Sequence, residues 1–343
     1  KVLTGSSKTS YKKQLKESLK QGEINLLIGT HALIYDSVEF ENLGLAIIDE
    51  QHKFGVAQRS KLWHKNKFPP HILIMTATPI PRTLAMSVYG DLDMSVIDEL
   101  PPGRKYIKTF HQTQRDRLKL LDFLKKEIDK GRQAYVVYPL IKESEKLDFK
   151  DLMDGYETFS RDFPMPEYQI SIIHGKMKDD EKKAIIKNFK ERKTKILLAT
   201  TVIEVGIDVP DANIMVIENA ERFGLSQLHQ LRGRVGRGTK ESFCILMHSE
   251  NLSEISKERL KIITETSDGF SIAESDLKLR GPGDILGLSQ TGLPSFTFYD
   301  LLSNKELQNE ADKYAKEIIK LPVESQRKII ERWFPAHLEL SDV

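Results

Sequence analysis

Short uninterrupted apolar runs alternate along this chain with longer segments in which apolar residues recur at every third or fourth position. Continuous apolar runs are typical of strands buried between two layers of helices, and the periodic segments are typical of those helices. We therefore predict an α/β fold built on parallel sheets. The predicted strands cover residues 24–28, 45–48, 72–75, 93–97, 134–138, 170–173, 195–199, 214–217 and 243–247.

Two of the helices have clear boundaries in the sequence. The first contains an apolar stripe formed by Tyr11, Leu15 and Leu19. Gly22 follows this stripe as a stop signal. The second helix begins at Thr113, a residue type that caps helix N-termini. Its predicted apolar face consists of Leu118, Leu121, Leu124 and Ile128.

The predicted strands fall into two groups, separated by the turn-forming stretch 100–104 (LPPGR). After about residue 250 the strand patterns stop and helical patterns remain. At about 150 residues per domain, the 343 residues suffice for two α/β domains and a helical remainder. We predict the later part of a first domain in residues 1–105, a second domain in 106–250 and a helical region in 251–343.

The charge balance and the single cysteine limit the partners and the compartment. Lys and Arg total 52 and Asp and Glu total 50, which gives a formal net charge of +2. Nucleic-acid binding must therefore come from local patches and backbone dipoles, because there is no bulk positive field. Cys244 has no partner cysteine for a disulfide, and no apolar run reaches the roughly 18 residues that cross a bilayer. We expect a soluble protein of the reducing cytoplasm, without membrane contact.

Two adjacent acids follow one of the predicted buried strands. Asp49 and Glu50 open the sequence Asp-Glu-Gln-His directly after strand 45–48. Open parallel sheets bind ligands at the carboxyl ends of their strands, so this placement favours function. One acid can hold Mg²⁺ while the next orients an attacking water, as phosphoryl transfer requires. For the acid pair alone, solvated side chains at an exposed strand end are an equal alternative.

Two further segments favour phosphate chemistry. The predicted strand 72–75 ends in Thr76-Ala77-Thr78, whose hydroxyls can contact the acids and sense phosphate. Arg234 and Arg237 are three residues apart among glycines, which predicts that they share one helical face. Two permanently charged guanidiniums can contact the oxygens of a transferring phosphoryl group. A basic nucleic-acid patch or surface salt bridges are the alternatives for these arginines.

These segments occur in the order and spacing of the superfamily two helicases, which the chain resembles. The segments that support this resemblance are 49–52 (DEQH), 76–78 (TAT), 199–210 and 230–237 (QLRGRVGR). Within that superfamily the chain is similar to the RecG family of DNA fork-remodelling helicases, over essentially its whole length. The segments that support this similarity are 54–59, 79–84, 100–104, 276–284 and 290–292, the last two resembling a translocation motif shared with the transcription-repair coupling factor.

The resemblance implies tandem RecA-like domains that use ATP and Mg²⁺ to move on branched or duplex DNA. It implies that Asp49 binds Mg²⁺ and that Glu50 activates water. The residues implied to link the nucleotide state to domain movement are Gln51, His52, Thr76 and Thr78. The residues implied to contact the nucleotide from the second domain are Gly206, Asp208 and Gln230, with Arg234 and Arg237 as arginine fingers.

The resemblance also implies DNA contacts and a coupling element. The residues implied to hold DNA phosphates through hydroxyls and backbone N–H groups, without reading base sequence, are Thr4, Gly5, Ser6, Thr30, Thr200 and Thr201. Arg280, Gly281 and Gln290 are implied to turn domain closure into movement on duplex DNA. The expected role is repair and recombination at stalled forks and Holliday junctions, by a parent protein that is monomeric.

One motif of the family is absent from the sequence. The phosphate-binding loop G-x-x-x-x-G-K-[ST] does not occur, and the Gly175-Lys176 pair lacks its context. We expect the loop to precede Lys1 in a longer protein, and we expect negligible ATPase activity from this chain alone. Two alternatives stay open, namely a transcription-repair coupling translocase with the same motor and a non-catalytic module that binds duplex DNA.

Overall fold

The computed structural model describes residues 1–5, 7–35, 37–50, 68–76, 93, 95–97, 99–139, 145–200, 209, 211–280 and 305–333. The chain divides into two compact units. The first unit comprises Lys1–Ala77 and Ala311–Val343, and the second unit comprises Thr78–Glu310. In these described residues, no helix combines the length and the apolar character that a membrane span needs.

The first unit contains two pairs of parallel strands and a helix that packs on the first pair. The strands are β1 (Val2–Leu3) with β2 (Ile28–Gly29), and β3 (Leu45–Ile48) with β4 (His71–Ile74). Helix α1 (Thr9–Lys20) buries Leu15 and Leu19 against Leu3, as predicted, but Tyr11 of the predicted stripe is 40% exposed because it lies in the first turn, beyond the reach of this small core. Gly22 follows with a φ of 74°, a left-handed conformation that favours glycine and ends the helix.

The structure tests several of the strands predicted in this part of the chain. The strand at 45–48 is confirmed, and the one predicted at 72–75 begins and ends one residue earlier. Neither is buried on both faces as predicted, because Leu45, Ile47 and Leu73 are about half exposed on one face of the pair. Of the predicted strand 24–28, only the last residue, Ile28, lies in a strand. The reason is that its partner β1 is only two residues long. The strand predicted at 93–97 is wrong for its described residues, which have no regular structure and leave Ile97 94% exposed. Its apolar run is short and is flanked by acids that favour solvent.

The second unit is built on a six-stranded parallel sheet. Its strands, in spatial order, are β5 (Lys108–Thr113), β10 (Phe243–His248), β9 (Ala212–Ile217), β6 (Gln133–Tyr138), β8 (Ile196–Thr200) and β7 (Ile170–Ile173). Every one of these strands except β5 overlaps a predicted strand. The prediction of an α/β fold with parallel sheets is therefore confirmed.

Strand β5 is the element of this sheet that the hydrophobic pattern did not predict. It lies at the sheet edge, and among the described strands it pairs with β10 alone. Its sequence Lys-Thr-Phe-His-Gln-Thr contains no apolar run, and Phe110 is 49% exposed. An edge strand with solvent on one side can be polar, so the pattern of buried strands does not apply to it.

Helices cover both faces of the six-stranded sheet. Helices α2 and α3 pack on one face, against strand residues such as Val136 and Leu198. Helices α4 to α7 pack on the other face, against intervening residues such as Val137 and Ala199. The helices of the described chain after α1 are α2 (Arg117–Asp129), α3 (Glu145–Asp162), α4 (Asp179–Lys190), α5 (Leu225–Arg232), α6 (Glu254–Glu265), α7 (Gly269–Arg280), α8 (Lys305–Ile318) and α9 (Val323–Trp333).

The start and the apolar face predicted for α2 both need correction. The helix begins at Arg117 rather than at Thr113, because Thr113 pairs with β10 as the last residue of β5. Leu121, Leu124 and Ile128 are buried as predicted, but Leu118 is 75% exposed and Leu120 is buried in its place. At about 100° of rotation per residue, Leu118 lies on the flank of the stripe that the other leucines form. The position of the sheet, rather than the spacing of the leucines, selects which side of the helix is buried.

Candidate functional site

The predicted acids and a predicted threonine meet at one edge of the β3–β4 pair. Ile48 lies beside Ile74 in the register, and the N–H of Met75 donates to the carbonyl of Ile48 at 2.8 Å. Asp49 and Thr76 therefore leave the two strands at the same edge, where parallel sheets present ligand-binding residues. The other residues predicted for this edge that lie outside the described residues are Gln51, His52 and Thr78.

The backbone turns sharply at the two acids. Glu50 has a φ of 53°, in the left-handed region that residues other than glycine rarely occupy. The N–H of Glu50 donates to Oδ1 of Asp49 at 2.9 Å, which stabilises this turn. Asp49 is exposed, and Glu50 is half-buried. Strain of this kind persists where the surrounding structure enforces it, and it is concentrated at functional sites.

Two segments predicted to hold DNA phosphate end side by side at the β1–β2 pair. Leu3 lies beside Gly29 in the register, so Thr4 and Thr30 follow the two strands at one edge. A Cβ on Gly29 would lie 2.2 Å from the carbonyl oxygen of Leu3. Glycine is therefore required for the two segments to approach each other this closely.

The turn after β1 is closed by side chains. The N–H of Thr4 donates to Oγ of Ser7 at 3.1 Å, and Nζ of Lys12 donates to the carbonyl of Gly5 at 2.7 Å. This turn therefore combines a threonine side chain with a lysine cation, both of which suit phosphate. Ser6, the third predicted residue of the segment, lies outside the described residues.

In the second unit, one residue of the segment after β8 is described. Thr200 is the last residue of β8 and is 3% exposed. Its strand lies between β6 and β7, so Thr200 lies at the carboxyl edge of the sheet. The predicted site residues of that segment that lie outside the described residues are Thr201, Gly206 and Asp208.

The two predicted arginine fingers follow helix α5 rather than lying on it. The helix ends at Arg232, and the chain turns at Gly233. Gly236 has a φ of 76°, which ends regular structure between the two arginines. The prediction that Arg234 and Arg237 share one helical face is therefore wrong, because α5 ends before both of them and the left-handed Gly236 turns the chain between them.

We call residues 219–237 the finger segment, since they connect β9 to these arginines and contain α5. The N–H of Gly224 donates to Oε1 of Gln227 at 3.1 Å and so caps the N-terminus of α5. Gln230, predicted to contact the nucleotide, lies on α5 and is half-buried. Leu225 and Leu228 attach the helix to the core.

Arg232 joins the finger segment to helix α6. Its guanidinium is buried, and Nη1 donates to the carbonyls of Ile263 and Thr266 at 2.8 and 2.9 Å. These carbonyls belong to the C-terminal end of α6, where a cation is favourable. Nη2 lies 2.9 Å from Nδ1 of His229. Burial, and then the charge of Arg232, lowers the pKa of His229 to about 4.

The role of Arg232 was missed by the sequence analysis. A signal was present, because Arg232 follows Leu225 and Leu228 at helical spacing on the buried side of α5. A charged residue in an apolar stripe indicates a buried group with specific partners. The partners themselves are distant in the chain, and the sequence does not identify them.

A second contact joins the finger segment to helix α7. Oγ of Ser226 donates to Oδ2 of Asp276 at 2.6 Å, and Asp276 is 5% exposed. Helix α7 ends at Arg280, one of the predicted coupling residues, whose backbone is described. The other predicted coupling residues, which lie outside the described residues, are Gly281 and Gln290.

Three family models match successive parts of the chain. They are the DEAD/DEAH box helicase model over residues 1–87, the helicase conserved C-terminal domain model over residues 116–239, and the model of domain 3, C-terminal, of the ATP-dependent DNA helicase RecG over residues 266–327. The first range contains the acids after β3, and the second contains the finger segment. The third contains the predicted coupling residues.

Curated relatives match nearly all of the chain. The ATP-dependent DNA helicase RecG of Aquifex aeolicus is 52% identical over 325 residues, which are 93% of this chain and 41% of that protein. RecG of Bacillus subtilis is 50% identical over 319 residues, which are 93% of this chain and 46% of that protein. The chain therefore spans less than half the length of these relatives.

Solved structures with the same fold include a RecG bound to a three-way DNA junction. It is 45% identical, with a TM-score of 0.66, and the match covers 90% of this chain and 39% of that chain. The DUF1998 helicase MrfA bound to DNA and AMPPNP matches with a TM-score of 0.56 over 90% of this chain and 50% of that chain. At 15% identity, this second match indicates a shared fold alone.

Proposed function

This chain is homologous to the ATP-dependent DNA helicase RecG, and we propose that it forms the motor part of a helicase that remodels branched DNA in recombination and repair. The observation that supports the proposal is the 52% identity to an ATP-dependent DNA helicase over 93% of the chain. The acids after β3 and the finger segment both fall within helicase family models. ATP and Mg²⁺ are the cofactors of this proposal, and branched or duplex DNA is the partner.

Asp49 suits a Mg²⁺ ion that is bound together with a nucleotide. Mg²⁺ is usually held by one or two carboxylates, with phosphate oxygens and waters as its other ligands. Across the described residues there is no group of three or more His, Cys, Asp or Glu side chains that would form an all-protein metal site. Asp49 is exposed, with Oδ1 bonded to a backbone N–H, so its carboxylate fits a site completed by phosphate. When bound, Mg²⁺ neutralises charge on the phosphates.

We assign Glu50 to the attacking water. Its left-handed backbone departs from the extended conformation of β3, and we assign to it a different ligand from that of Asp49. Glu50 is half-buried, which favours a fixed carboxylate over a freely solvated one. The residues that we assign to sensing the nucleotide state are Gln51, His52, Thr76 and Thr78.

We assign Arg234 and Arg237 to the oxygens of the transferring phosphoryl group. Guanidiniums stabilise the charge that spreads over these oxygens in the transition state. The residues that we assign to further nucleotide contacts are Gly206, Asp208 and Gln230.

We assign the edge of the β1–β2 pair to DNA phosphate. Thr4 and Thr30 follow adjacent parallel strands, and Lys12 places a cation against the first turn. Backbone and hydroxyl donors of this kind fix a protein on DNA without reading its sequence. This suits a chain with a net charge of +2, which lacks a bulk positive field. The other residues that we assign to phosphate are Gly5, Ser6, Thr200 and Thr201.

The contacts between α5, α6 and α7 support a coupling role for the chain that follows α7. Opening a duplex costs about 1.4 kcal/mol per base-pair step, so movement on DNA must be driven by nucleotide chemistry. Arg232 holds α5 to α6, and Ser226 with Asp276 holds α5 to α7. A displacement of the finger segment must therefore displace α7, which leads to Arg280. The residues that we assign to coupling are Arg280, Gly281 and Gln290.

The other candidate functions receive less support from the comparisons. A transcription-repair coupling translocase would share the motor, but the third family model and the curated relatives described above are those of RecG. A non-catalytic module that binds duplex DNA would not need the acids and arginines that fall within the helicase models. The function that the structure and the comparisons support best is therefore ATP-driven remodelling of branched DNA.

The proposal is tested with the complete gene product that contains this chain. We expect ATP hydrolysis that depends on DNA, and faster unwinding of a synthetic three-way junction than of a linear duplex with the same sequence. Glu50→Gln is expected to retain junction binding and lose hydrolysis by about a hundredfold or more. An absence of DNA-dependent hydrolysis in the wild type would contradict the helicase proposal, and displacement of stalled RNA polymerase without junction unwinding would favour the alternative motor.

The coupling assignment is tested separately with Arg280→Ala. We expect this variant to hydrolyse ATP near the wild-type rate while unwinding junctions at least about tenfold more slowly, because hydrolysis and movement are uncoupled. Arg327→Ala, which removes an exposed arginine of α9, is the matched control. Normal unwinding by Arg280→Ala would show that the coupling assignment is wrong.

A further inference from the structure

A buried ion pair lies at the carboxyl edge of the six-stranded sheet, apart from the residues assigned above. Nη1 of Arg117 donates to Oε1 of Glu218. The side chain of Arg117 is 21% exposed and that of Glu218 is 4% exposed. Arg117 is the first residue of α2, and Glu218 directly follows β9. The pair therefore joins the start of a helix to the end of a central strand.

The Arg117 side chain also contacts β6 and α3. It bonds to the hydroxyl of Tyr138, the last residue of β6. Its guanidinium lies 5.1 Å from the ring centre of Phe159 on α3. A Cβ on Gly155 of α3 would lie 2.1 Å from the Tyr138 hydroxyl, so glycine leaves the space that this tyrosine occupies. Burial, and then the Glu218 carboxylate, raises the pKa of Tyr138 well above its ordinary value.

Glu218 is the last residue before the finger segment. Its N–H donates to the carbonyl of Val137 at 2.9 Å, which extends the β9–β6 pairing beyond the end of β9. The next residue, Asn219, has a φ of 49° and a ψ of 48°, a left-handed conformation in a residue other than glycine. Such a conformation persists only where its neighbours enforce it. The ion pair with Arg117 holds the Glu218 side chain in place directly before that turn.

The finger segment is thus held at both ends. Glu218 anchors the start of the segment to the sheet and to α2, and Arg232 anchors the end of α5 to α6. A buried ion pair contributes little net stability compared with apolar residues of the same size, but its partners must keep one geometry. A role in fixing geometry therefore explains the pair better than a role in stability.

We propose that Arg117 and Glu218 are positioning residues that fix the direction in which the finger segment leaves the sheet. They act through Arg234 and Arg237 and do not themselves contact the nucleotide. An effect of the pair on ATP hydrolysis is expected only if the function proposed above is correct. Its effect on the conformation of the finger segment does not depend on that function. The two are therefore measured separately.

The test replaces both charges at once, so that no unpaired buried charge is left behind. The variant is Arg117→Met with Glu218→Gln. The matched control is Arg132→Met with Glu127→Gln, which removes the ion pair near the other end of the same helix. In that control pair, Nη1 of Arg132 lies 2.6 Å from Oε2 of Glu127, and the side chains are 16% and 8% exposed.

Amide hydrogen exchange on the 343-residue chain provides the first measurement. We expect exchange in residues 219–232 to accelerate by about tenfold or more in the Arg117–Glu218 variant, while β6, β8 and β9 keep their protection. The control is expected to leave residues 219–232 unchanged. Unchanged exchange in these residues in both variants would overturn the proposal, and so would an equal acceleration throughout the sheet, which would indicate a purely structural pair.

ATP hydrolysis by the complete gene product provides the second measurement. We expect kcat to fall by about tenfold or more in the Arg117–Glu218 variant, with the KM for ATP changed by less than about twofold, because the segment contacts the transferring group. If kcat stays normal although exchange has accelerated, the positioning proposal fails for catalysis. If the wild type itself has no DNA-dependent hydrolysis, the helicase proposal fails, and the exchange result still decides whether the pair fixes the segment.

Discussion

At the scale of single residues, Arg232 sets the protonation state of His229. Nη2 of Arg232 donates to Nδ1 of His229 across 2.9 Å, so the histidine must be neutral and carry its proton on Nε2. Burial and the neighbouring guanidinium lower the pKa of His229 to about 4. A protonated His229 would oppose the cation and would lose this hydrogen bond.

This arrangement predicts a loss of stability in mild acid. The pKa of His229 is about 4 in the folded chain, whereas an unperturbed histidine has a pKa of about 6.5, so the unfolded chain binds more protons between these values. The free energy of unfolding should therefore fall as the pH drops from about 6.5 to about 4, by up to about 3 kcal/mol from this residue.

Urea unfolding at pH 7 and pH 4.5 measures this effect. His229→Gln, which keeps an acceptor for Arg232, should lose less stability on acidification than the wild type. Exposed His71→Gln is the control and should follow the wild type. Equal acid sensitivity of the wild type and His229→Gln would show that His229 is not the titrating group responsible.

At the scale of elements, the end of α5 is determined by contacts on two sides. Arg232 caps the carbonyls at the end of α6, and the left-handed Gly236 turns the chain after the helix. The arginine fixes where the helix lies, and this glycine sets the path of the chain after it. Together they set the position from which Arg234 and Arg237 extend.

Substitution of Arg232 tests the first of these contacts. Arg232→Lys keeps the charge but lacks the planar fork that donates to two carbonyls and a histidine, so at least one buried acceptor loses its partner. We expect a loss of about 2 kcal/mol in the free energy of unfolding, measured with urea. Arg115→Lys, in an exposed ion pair with Glu250, should change it by less than about 0.5 kcal/mol. Equal effects of the two substitutions would contradict the structural role of Arg232.

Substitution of Gly236 tests the second contribution, which is the turn of the chain after α5. Gly236 has a φ of 76°, and a Cβ there would lie 2.9 Å from Cγ1 of Ile107. Gly131 has a φ of 81° and no heavy atom within 4 Å of such a Cβ, so it isolates the cost of the backbone conformation.

We expect Gly131→Ala to lower the free energy of unfolding by about 1 kcal/mol and Gly236→Ala to lower it by at least about 1 kcal/mol more. Thermal or urea unfolding of both variants gives the difference. A Gly236→Ala variant as stable as Gly131→Ala would show that the contact with Ile107 relaxes without cost.

At the scale of the whole molecule, the chain contains many of the residues to which we assigned roles in phosphoryl transfer, but not the phosphate-binding loop. It has the acids after β3 and the arginines of the finger segment, yet its sequence contains no G-x-x-x-x-G-K-[ST]. That loop supplies the backbone N–H groups and the lysine that hold the β- and γ-phosphates. The chain spans less than half the length of the RecG relatives that it matches.

We therefore predict negligible ATP hydrolysis by the 343-residue chain alone, with or without DNA. Phosphate release with saturating three-way junction is the measurement, and the complete gene product is the comparison. Rates of about 1 s⁻¹ or more from the chain alone, typical of working enzymes, would show that another segment holds the phosphates.

Local pattern was enough to predict the framework of this protein. The apolar runs at β6, β7, β8, β9 and β10 predicted those strands and their α/β class, because a strand buried on both faces must be apolar throughout. The placement of Asp49 and Thr76 after neighbouring strands followed from the same pattern. The order of the motifs predicted the family to which the chain is homologous.

Tertiary structure alone decided what depends on partners far apart in the sequence. The polar edge strand β5 needs β10 beside it, the buried Arg232 needs the carbonyls at the end of α6, and Arg117 needs Glu218. The periodicity of apolar positions in the sequence indicates whether a residue is buried. Only the hydrogen bonds and ion pairs of the folded structure show which residues it is buried against. The end of α5 before Arg234 likewise required the packed helices, since the spacing of the two arginines is equally compatible with a continuous helix.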